Sequence, residues 1–492
     1  MTHVQAAPVD YSRKWYVMAA VAMSIFLATI DGSIVNIALP TLVRDLNTNF
    51  ATVQWVVLSY LLTLTTLMLG IGRLADIRGK KPIYVAGFVV FTIGSVLCAL
   101  APTVYWLIGF RVLQAVGGAM VMALGAAIVT EAFPPQERGK ALGTIGSMVS
   151  LGVVAGPLMG GLILSSASWH WIFLVNLPVG IVGTYIAQRF VPAIQPPGGQ
   201  RFDFVGAGTL FTSLIALLLG LTFGQEQGFA NPLSLALFAV WLVFLTIFIA
   251  IELRVPSPMI DLRLFRNRRF SINLGTGFIT FVSISGMFIL MPFYLENILG
   301  YPIQLVGPLQ AVVPVMLGIM APIAGSLSDR FGSRRITIIG LVALLIGYLA
   351  ITTLSMETRA LGYILRTLPI GLGMGIFQSP NNSAIMGAVP RERLGIASGL
   401  LSMTRTLGQT VGISIMGAIW ASSVAGRMGY DVAGGATNAP APVQVAAMHD
   451  TFSVIVVLIA GALAVALWGA WQERRATTVA STQSTAPAAR RN

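Results

Sequence analysis

Charge is scarce along this chain. Asp, Glu, Lys and Arg make up 10% of the 492 residues, where a soluble domain carries about 25%. Cysteine occurs once, as Cys98 inside an apolar run, which excludes intrachain disulfides and a thiolate metal site. There are three histidines, and no His/Cys/Asp group has metal-ligand spacing. No phosphate-binding loop ends in a lysine, so ATP is not the energy source. No Gly-x-Ser-x-Gly elbow falls in a strand–turn–helix context. The sequence therefore shows no enzyme constellation, no cofactor site and no metal site.

What remains is apolar. Hydrophobic residues make up 56% of the chain and the mean hydropathy is +0.83. Runs of about 20 apolar residues span a bilayer as helices. The backbone must satisfy itself there, so only helices or a closed barrel qualify. These runs are continuous rather than alternating, which predicts an all-α polytopic membrane protein. Fourteen spans are expected: 15–39, 51–71, 82–101, 104–131, 141–164, 171–191, 204–224, 232–252, 270–295, 303–325, 335–354, 360–386, 394–422 and 450–471. The first run, Trp15–Leu39, is too long for a signal-peptide core and lacks a cleavage pattern, so it reads as a retained helix.

The net charge of +13 raises nucleic acid as a partner, but the positions of the bases exclude it. With these spans, 24 of the 30 Lys and Arg lie in one set of alternate loops, at the span ends bordering them (Arg189 and Arg335) or in the termini. Only Arg44, Arg359 and Arg427 lie in the opposite loops, and Arg111, Arg366 and Arg405 lie well inside spans. This asymmetry orients a membrane protein with its basic loops, and here both termini, in the cytoplasm. The expected location is the plasma or inner membrane, with anionic lipid against the cytoplasmic face.

One offset runs through the chain. The polar clasp Gly70–Pro82, GIGRLADIRGKKP, is echoed at Gly325–Arg335, GSLSDRFGSRR. Each has a Gly, an Asp four residues later, a Gly three further on, and a basic cluster. Asp76 and Asp329 are 253 positions apart. Leu39-Pro40 is echoed by Met291-Pro292, Arg111 by Arg366, and Glu137-Arg138 by Glu392-Arg393, at nearly the same spacing. Six spans pair with six, leaving spans 7 and 8 in the middle. The expected division is a cytoplasmic N-terminus (1–14), a six-helix bundle (15–191), a linker with two added helices (192–269), a second six-helix bundle (270–472) and a disordered cytoplasmic tail (473–492). Duplicated halves around a midplane site, one rocking against the other, are a transporter architecture.

At these residues the sequence resembles the major facilitator superfamily, in its fourteen-span drug/proton antiporter branch of quaternary-ammonium and multidrug exporters. Besides the clasps, the resemblance rests on Ile30–Pro40 (IDGSIVNIALP), Arg111–Gly118 (RVLQAVGG), Gly152–Gly161 (GVVAGPLMGG), Trp169–Gly180 (WHWIFLVNLPVG), Pro258–Phe270 and Tyr294–Pro314. It covers nearly the whole chain outside the tails. It implies the major facilitator fold, two six-helix bundles plus two extra central helices. It also implies a coupling role for an acid at Asp31, and antiport rather than symport from the Gly152–Gly161 motif.

Asp31 lies between apolar runs, where an acid costs about 2.5–3.5 kcal/mol on insertion scales. A carboxyl group there can take a proton and lose its charge, which suits a proton carrier. The bland alternative is an Asp beside Gly32 capping a kink. Arg111, within span 4, keeps its charge and must face a carboxylate, carbonyls or water. It is the expected partner that discharges the proton, the alternative being a permanent structural bond. Glu296 is a candidate second titrating site near the outer mouth, or a solvated acid at a helix end. Gln378, Asn381 and Asn382, with Arg366 and Arg405, are candidates for the substrate pathway, or bond neighbouring helices. Gly72, Arg73, Asp76, Arg78, Gly79, Asp329 and Arg330 form a candidate gating latch, or serve only to fix orientation. Gly152, Gly156, Pro157, Gly160 and Gly161 give span 5 a small-residue face for close helix packing.

The expectation is a monomeric secondary transporter that exports small lipophilic compounds, cationic or neutral, in exchange for protons. Two alternatives stand beside it. One is an exporter or flippase of lipids and amphiphilic metabolites in the same fold. The other, of a different class, is a non-transporting membrane scaffold or sensor.

Overall fold

The computed structural model describes residues 11–134, 138–193, 203–229, 231–255, 260, 262–389, 394–430, 432 and 435–484. Some side chains within its helices, among them Arg73, Asp76 and Asp329, lie outside the described set. Every regular element among the described residues is helical. The first half comprises α1 (Lys14–Asp45), α2 (Phe50–Arg78), α3 (Lys80–Ala99), α4 (Val104–Ala132), α5 (Arg138–Ser166), the short α6 (Trp171–Leu174) and α7 (Asn176–Phe190). Then come α8 (Phe204–Gln227) and α9 (Pro232–Glu252). The second half comprises α10 (Arg268–Phe293), α11 (Ile303–Phe331), α12 (Ser333–Ile351), α13 (Ala360–Gly387), α14 (Leu394–Met428) and α15 (Ala441–Ser484).

Twelve of these stretches, with α6 and α7 taken together, are long and apolar enough to cross a membrane among the described residues. The other two expected spans, in α5 and α8, coincide with the shorter apolar helices Leu151–Ser166 and Val205–Leu221. Side chains start several helices where the sequence supplies a cap. Asn49 accepts from Thr52 N at 2.8 Å, Asp203 from Gly206 N at 2.8 Å and Asn231 from Leu233 N at 2.9 Å. Helix α15 continues to Ser484, past the expected boundary at 472.

The sequence offset reappears as repeated packing. Helix α1 lies on α5 as α10 lies on α14, α2 on α4 as α11 on α13, and α3 on both α4 and α7 as α12 on both α13 and α15. The clasps repeat at backbone level too. Gly79 (φ 93°, ψ 145°) joins α2 to α3 and donates to Ala75 O, and Gly332 (φ 85°, ψ 135°) joins α11 to α12 and donates to Ser328 O. Only glycine takes that backbone without strain, so the turn geometry explains the second Gly of each clasp.

The small-residue motif is a packing seam in both halves. A Cβ on Gly152 would fall 2.0 Å from Thr29 Oγ1, and one on Gly156 would fall 1.8 Å from Ser33 Oγ. Ser33 also donates to Gly152 O at 3.1 Å. These residues let α5 lie directly on α1, and Gly408 and Gly412 bring α14 against Phe278 and Val282 of α10. One turn or so further on, both helices cross between halves. Gly161 meets Gly307 of α11, and Gly417 meets Gln54 of α2. Near them Phe50 packs edge-on to Phe293 and Trp420, both at 5.0 Å between ring centroids. The halves therefore meet tightly at the end opposite the clasps. Helix α8 lies against α2 and α14, along the seam, with α9 on its outer side.

Candidate functional site

Asp31 and Arg111 form the centre of the molecule's polar interior. Asp31 sits on α1 with no exposed surface and Arg111 on α4 with 1% exposed. Arg111 Nη1 donates to Asp31 Oδ2 at 2.5 Å. The carboxylate's other oxygen accepts from Gln114 Nε2 at 2.8 Å and from Asn176 Nδ2 at 3.0 Å. Arg111 also donates through Nε to Val56 O at 3.0 Å and through Nη1 to Gln114 Oε1 at 2.7 Å. Gln114 Nε2 reaches Ser95 Oγ at 2.7 Å. Five helices thus converge, since Ser95 lies on α3, Val56 on α2 and Asn176 at the start of α7. The guanidinium stacks 4.1 Å from the centre of the Tyr60 ring and 5.8 Å from that of Phe173.

Such a pair is paid for in desolvation, so it persists only because nearly every donor and acceptor around it is used. Charged residues in apolar runs point to Asp31 and Arg111 from sequence alone. Gln114, Asn176, Ser95 and Tyr60 do not stand out in that way. Gln114 does lie one helical turn beyond Arg111 in RVLQ, on the same face, and that spacing is a usable signal.

Beside this network lies a cavity of about 340 Å³ between the two halves. Its walls are α1 (Ala28, Gly32, Asn36), α2 (Val57, Tyr60, Leu64), α4 (Met122), α5 (Val149, Pro157), α10 (Phe288), α11 (Gln310) and α14 (Arg405, Gln409). Asp31 does not line it, but its neighbours Thr29 and Gly32 do, and Tyr60 both lines it and covers Arg111. The Tyr60 hydroxyl has no hydrogen-bond partner among the described residues. A molecule in the cavity would therefore lie one aromatic ring away from the buried pair. Arg405 is the one charged residue in the described wall.

The remaining sequence candidates lie elsewhere. Arg366 bonds Thr353 Oγ1 at 2.7 Å and Gly362 O at 3.0 Å, at the start of α13, and is not part of the cavity wall. Asn381 donates to Asn273 O of α10 at 3.1 Å, joining two helices. Gln378 and Asn382 are half-buried, and neither lines this cavity. Glu296 sits on a wide helical turn after α10 and is ion-paired with Arg44 at the end of α1. That contact crosses from one half to the other. At the clasps Arg78 and Arg330 are exposed. The side chains of Arg73, Asp76 and Asp329 fall outside the described set, as do residues 135–137 and 390–393. A contact not foreseen, Lys80 Nζ to Glu131 Oε1 at 2.7 Å, ties the start of α3 to the end of α4 beside the first clasp. Among the described residues no cluster of His, Cys, Asp or Glu is arranged to hold a metal.

The chain is similar to known proteins. The chain is 35% identical over 413 residues to the riboflavin transporter RibZ of Clostridioides difficile, covering 84% of this chain and 89% of that one. It is 31% identical over 409 residues to the multidrug transporter protein MdtP of Bacillus subtilis, covering 83% and 75%. It is 31% identical over 407 residues to the multidrug resistance protein Stp of Mycobacterium tuberculosis, covering 82% and 75%. Among solved structures, a bacterial homolog of the human lysosomal transporter Spinster superposes with a TM-score of 0.65 at 18% identity, over 92% of this chain and 96% of that one. At that identity the likeness concerns the fold alone. The model of the Major Facilitator Superfamily matches residues 21–413, and this multi-pass membrane transporter chain belongs to that family.

Proposed function

We propose that this protein is a proton-driven exporter of lipophilic compounds working by alternating access, a multidrug exporter in the fourteen-span arrangement. In this reading α8 and α9 are two added central helices between six-helix bundles at 15–191 and 270–472. Both termini lie in the cytoplasm of a cell whose plasma membrane the protein spans as a monomer. The observation that carries the reading is the Asp31–Arg111 pair, sealed in the first half beside Tyr60, which covers Arg111 and lines the cavity. With the pair closed, Asp31 is charged and holds no proton. When rocking of the halves or a substrate against Tyr60 separates the pair, Asp31 takes a proton from the outer side. Re-closure after the halves return releases that proton to the cytoplasm.

The two half-to-half seals, α5 on α11 and α2 on α14, lie at the end opposite the clasps. With the clasps cytoplasmic, the cavity belongs to an inward-open state. One charge moved across 100 mV is worth about 2.3 kcal/mol, roughly a 50-fold gradient, which suffices to export a drug without ATP. The multidrug relatives support a broad lipophilic substrate range. The riboflavin transporter relative favours a second reading, a single flat, polar-edged solute in the same cavity.

The test is a vesicle assay with an imposed pH gradient. Everted vesicles containing the protein are expected to lose part of that gradient when a lipophilic substrate is added, and those containing Asp31→Asn are not. A scaffold or sensor would give no gradient loss with any compound, and labelled riboflavin as the sole active solute would favour the second reading.

A further inference from the structure

The charge in the cavity wall runs against the expectation of a cationic substrate. Arg405 is half-buried on α14, with its guanidinium carbon 5.6 Å from the centre of the Phe281 ring. Among the described residues it has no ion-pair or hydrogen-bond partner, and no carboxylate shares the cavity wall. The buried acid nearest in role, Asp31, is fully engaged by Arg111, Gln114 and Asn176 and does not reach the cavity. Across the cavity, Gln310 of α11 is 2% exposed and Tyr60 of α2 is 2% exposed, and among the described residues neither the Gln310 Nε2 nor the Tyr60 hydroxyl has a hydrogen-bond partner. One turn along α14 from Arg405, Gln409 also lines the wall. The rest is mostly hydrocarbon, including Leu61, Leu64, Met68, Met122, Val149 and Phe288, with Asn36 and five Ser or Thr hydroxyls among it.

We propose that this cavity is a counter-ion site for a lipophilic molecule carrying one negative charge, seated with its acidic group on Arg405 and its apolar body against α1, α2 and α5. The inference rests on the cavity being the substrate's place and names the substrate class. A guanidinium held in low-dielectric surroundings without an anion is costly, and a planar carboxylate matches its paired donors. The unused donors of Gln310 and Tyr60 add hydrogen bonds that an amphiphile with an acidic or carbonyl edge can accept, since buried polar groups seek partners. A cation of the same shape meets one positive charge and no negative one.

The probes are three molecules of one shape: naphthalene-2-carboxylate, its methyl ester and 2-naphthylmethylammonium. Binding to the full-length purified protein is measured in dodecyl maltoside, which brings no anion. The carboxylate is expected to bind at least tenfold more tightly than the ammonium, with the ester between them. Arg405→Gln is expected to weaken the carboxylate about tenfold and leave the ester unchanged, while Arg405→Lys keeps most of the preference. Adding phosphatidylglycerol separates two sources of such an anion. Competition supports the site and points to a lipid headgroup, whereas lack of competition supports a free small acid. Equal binding of the three probes, tighter binding of the ammonium, or no binding of any at millimolar concentration overturns the proposal. So does a folded, monodisperse Arg405→Gln protein that keeps the parent's preference. None of those outcomes touches proton exchange with a neutral dye, which the vesicle assay reads separately.

Discussion

At the scale of single residues, the sequence exposes what is charged and conceals what is merely polar. Asp31 and Arg111 are legible because each interrupts an apolar run, and the cost of an unpaired charge there demands a partner. Their hydrogen-bonded surroundings are not legible. Ser, Asn and Gln recur throughout these helices, and only folding selects Ser95, Gln114 and Asn176. The pair itself yields a prediction. Removing one member of a buried ion pair costs about 3–5 kcal/mol because the other stays charged. Asp31→Asn keeps an acceptor for Arg111 and should fall at the low end of that range. The double variant Asp31→Asn with Arg111→Gln leaves no orphan charge. It is expected to melt at a higher temperature in detergent than Asp31→Asn alone while remaining uncoupled. A double variant no more stable than the single would mean that the two side chains do not depend on each other.

At the scale of helices, the repeat is the part of the fold that sequence conveys best. The clasps, Pro40 with Pro292 and the glycine faces of α5 and α14 all recur in equivalent packing. What spacing does not convey is which helix each glycine meets. Gly152 and Gly156 serve packing within one half, against α1, whereas Gly161 belongs to the seam between halves. The polar face of α13 shows the same ambiguity. Asn381 is spent on α10, and the cavity draws its polar wall from α11 and α14 instead. The seam can be tested at Gly307. A Cβ there would stand 2.3 Å from Pro157 O, and backbone cannot move aside as a side chain can. Gly307→Ala is therefore expected to part α5 from α11 and populate the state open at that end. Spin labels at Ser166 and Tyr301 should show a longer distance component than in the parent, in a Cys98→Ser background. An unchanged distance distribution would place the seam elsewhere.

At the scale of the whole molecule, two similarly packed halves flank a cavity, with one end closed in this structure. The closed end is held by apolar packing at Phe50, Phe293 and Trp420, and by the Arg44–Glu296 ion pair between halves. Run length and the repeat made an all-helical membrane fold of the major facilitator type legible, but a conformational state is not written in those patterns. Glu296 illustrates this, because the sequence leaves it as a second titrating site or a solvated acid at a helix end, and only the closed end brings Arg44 to it. Arg44 is half-exposed, so the pair is partly screened and worth about 1 kcal/mol or less. Glu296→Gln is accordingly expected to shift the resting balance toward the open end by a few-fold, read as altered distances between labels at Asp45 and Asn297, without abolishing transport. The central claim is that opening the Asp31–Arg111 pair exchanges a proton for substrate. It is tested most directly by following pH in a weakly buffered solution of the purified protein as a substrate is added. Proton uptake near one per protein is expected for the parent and none for Asp31→Asn. Equal uptake by both proteins, or release from the parent, would contradict it.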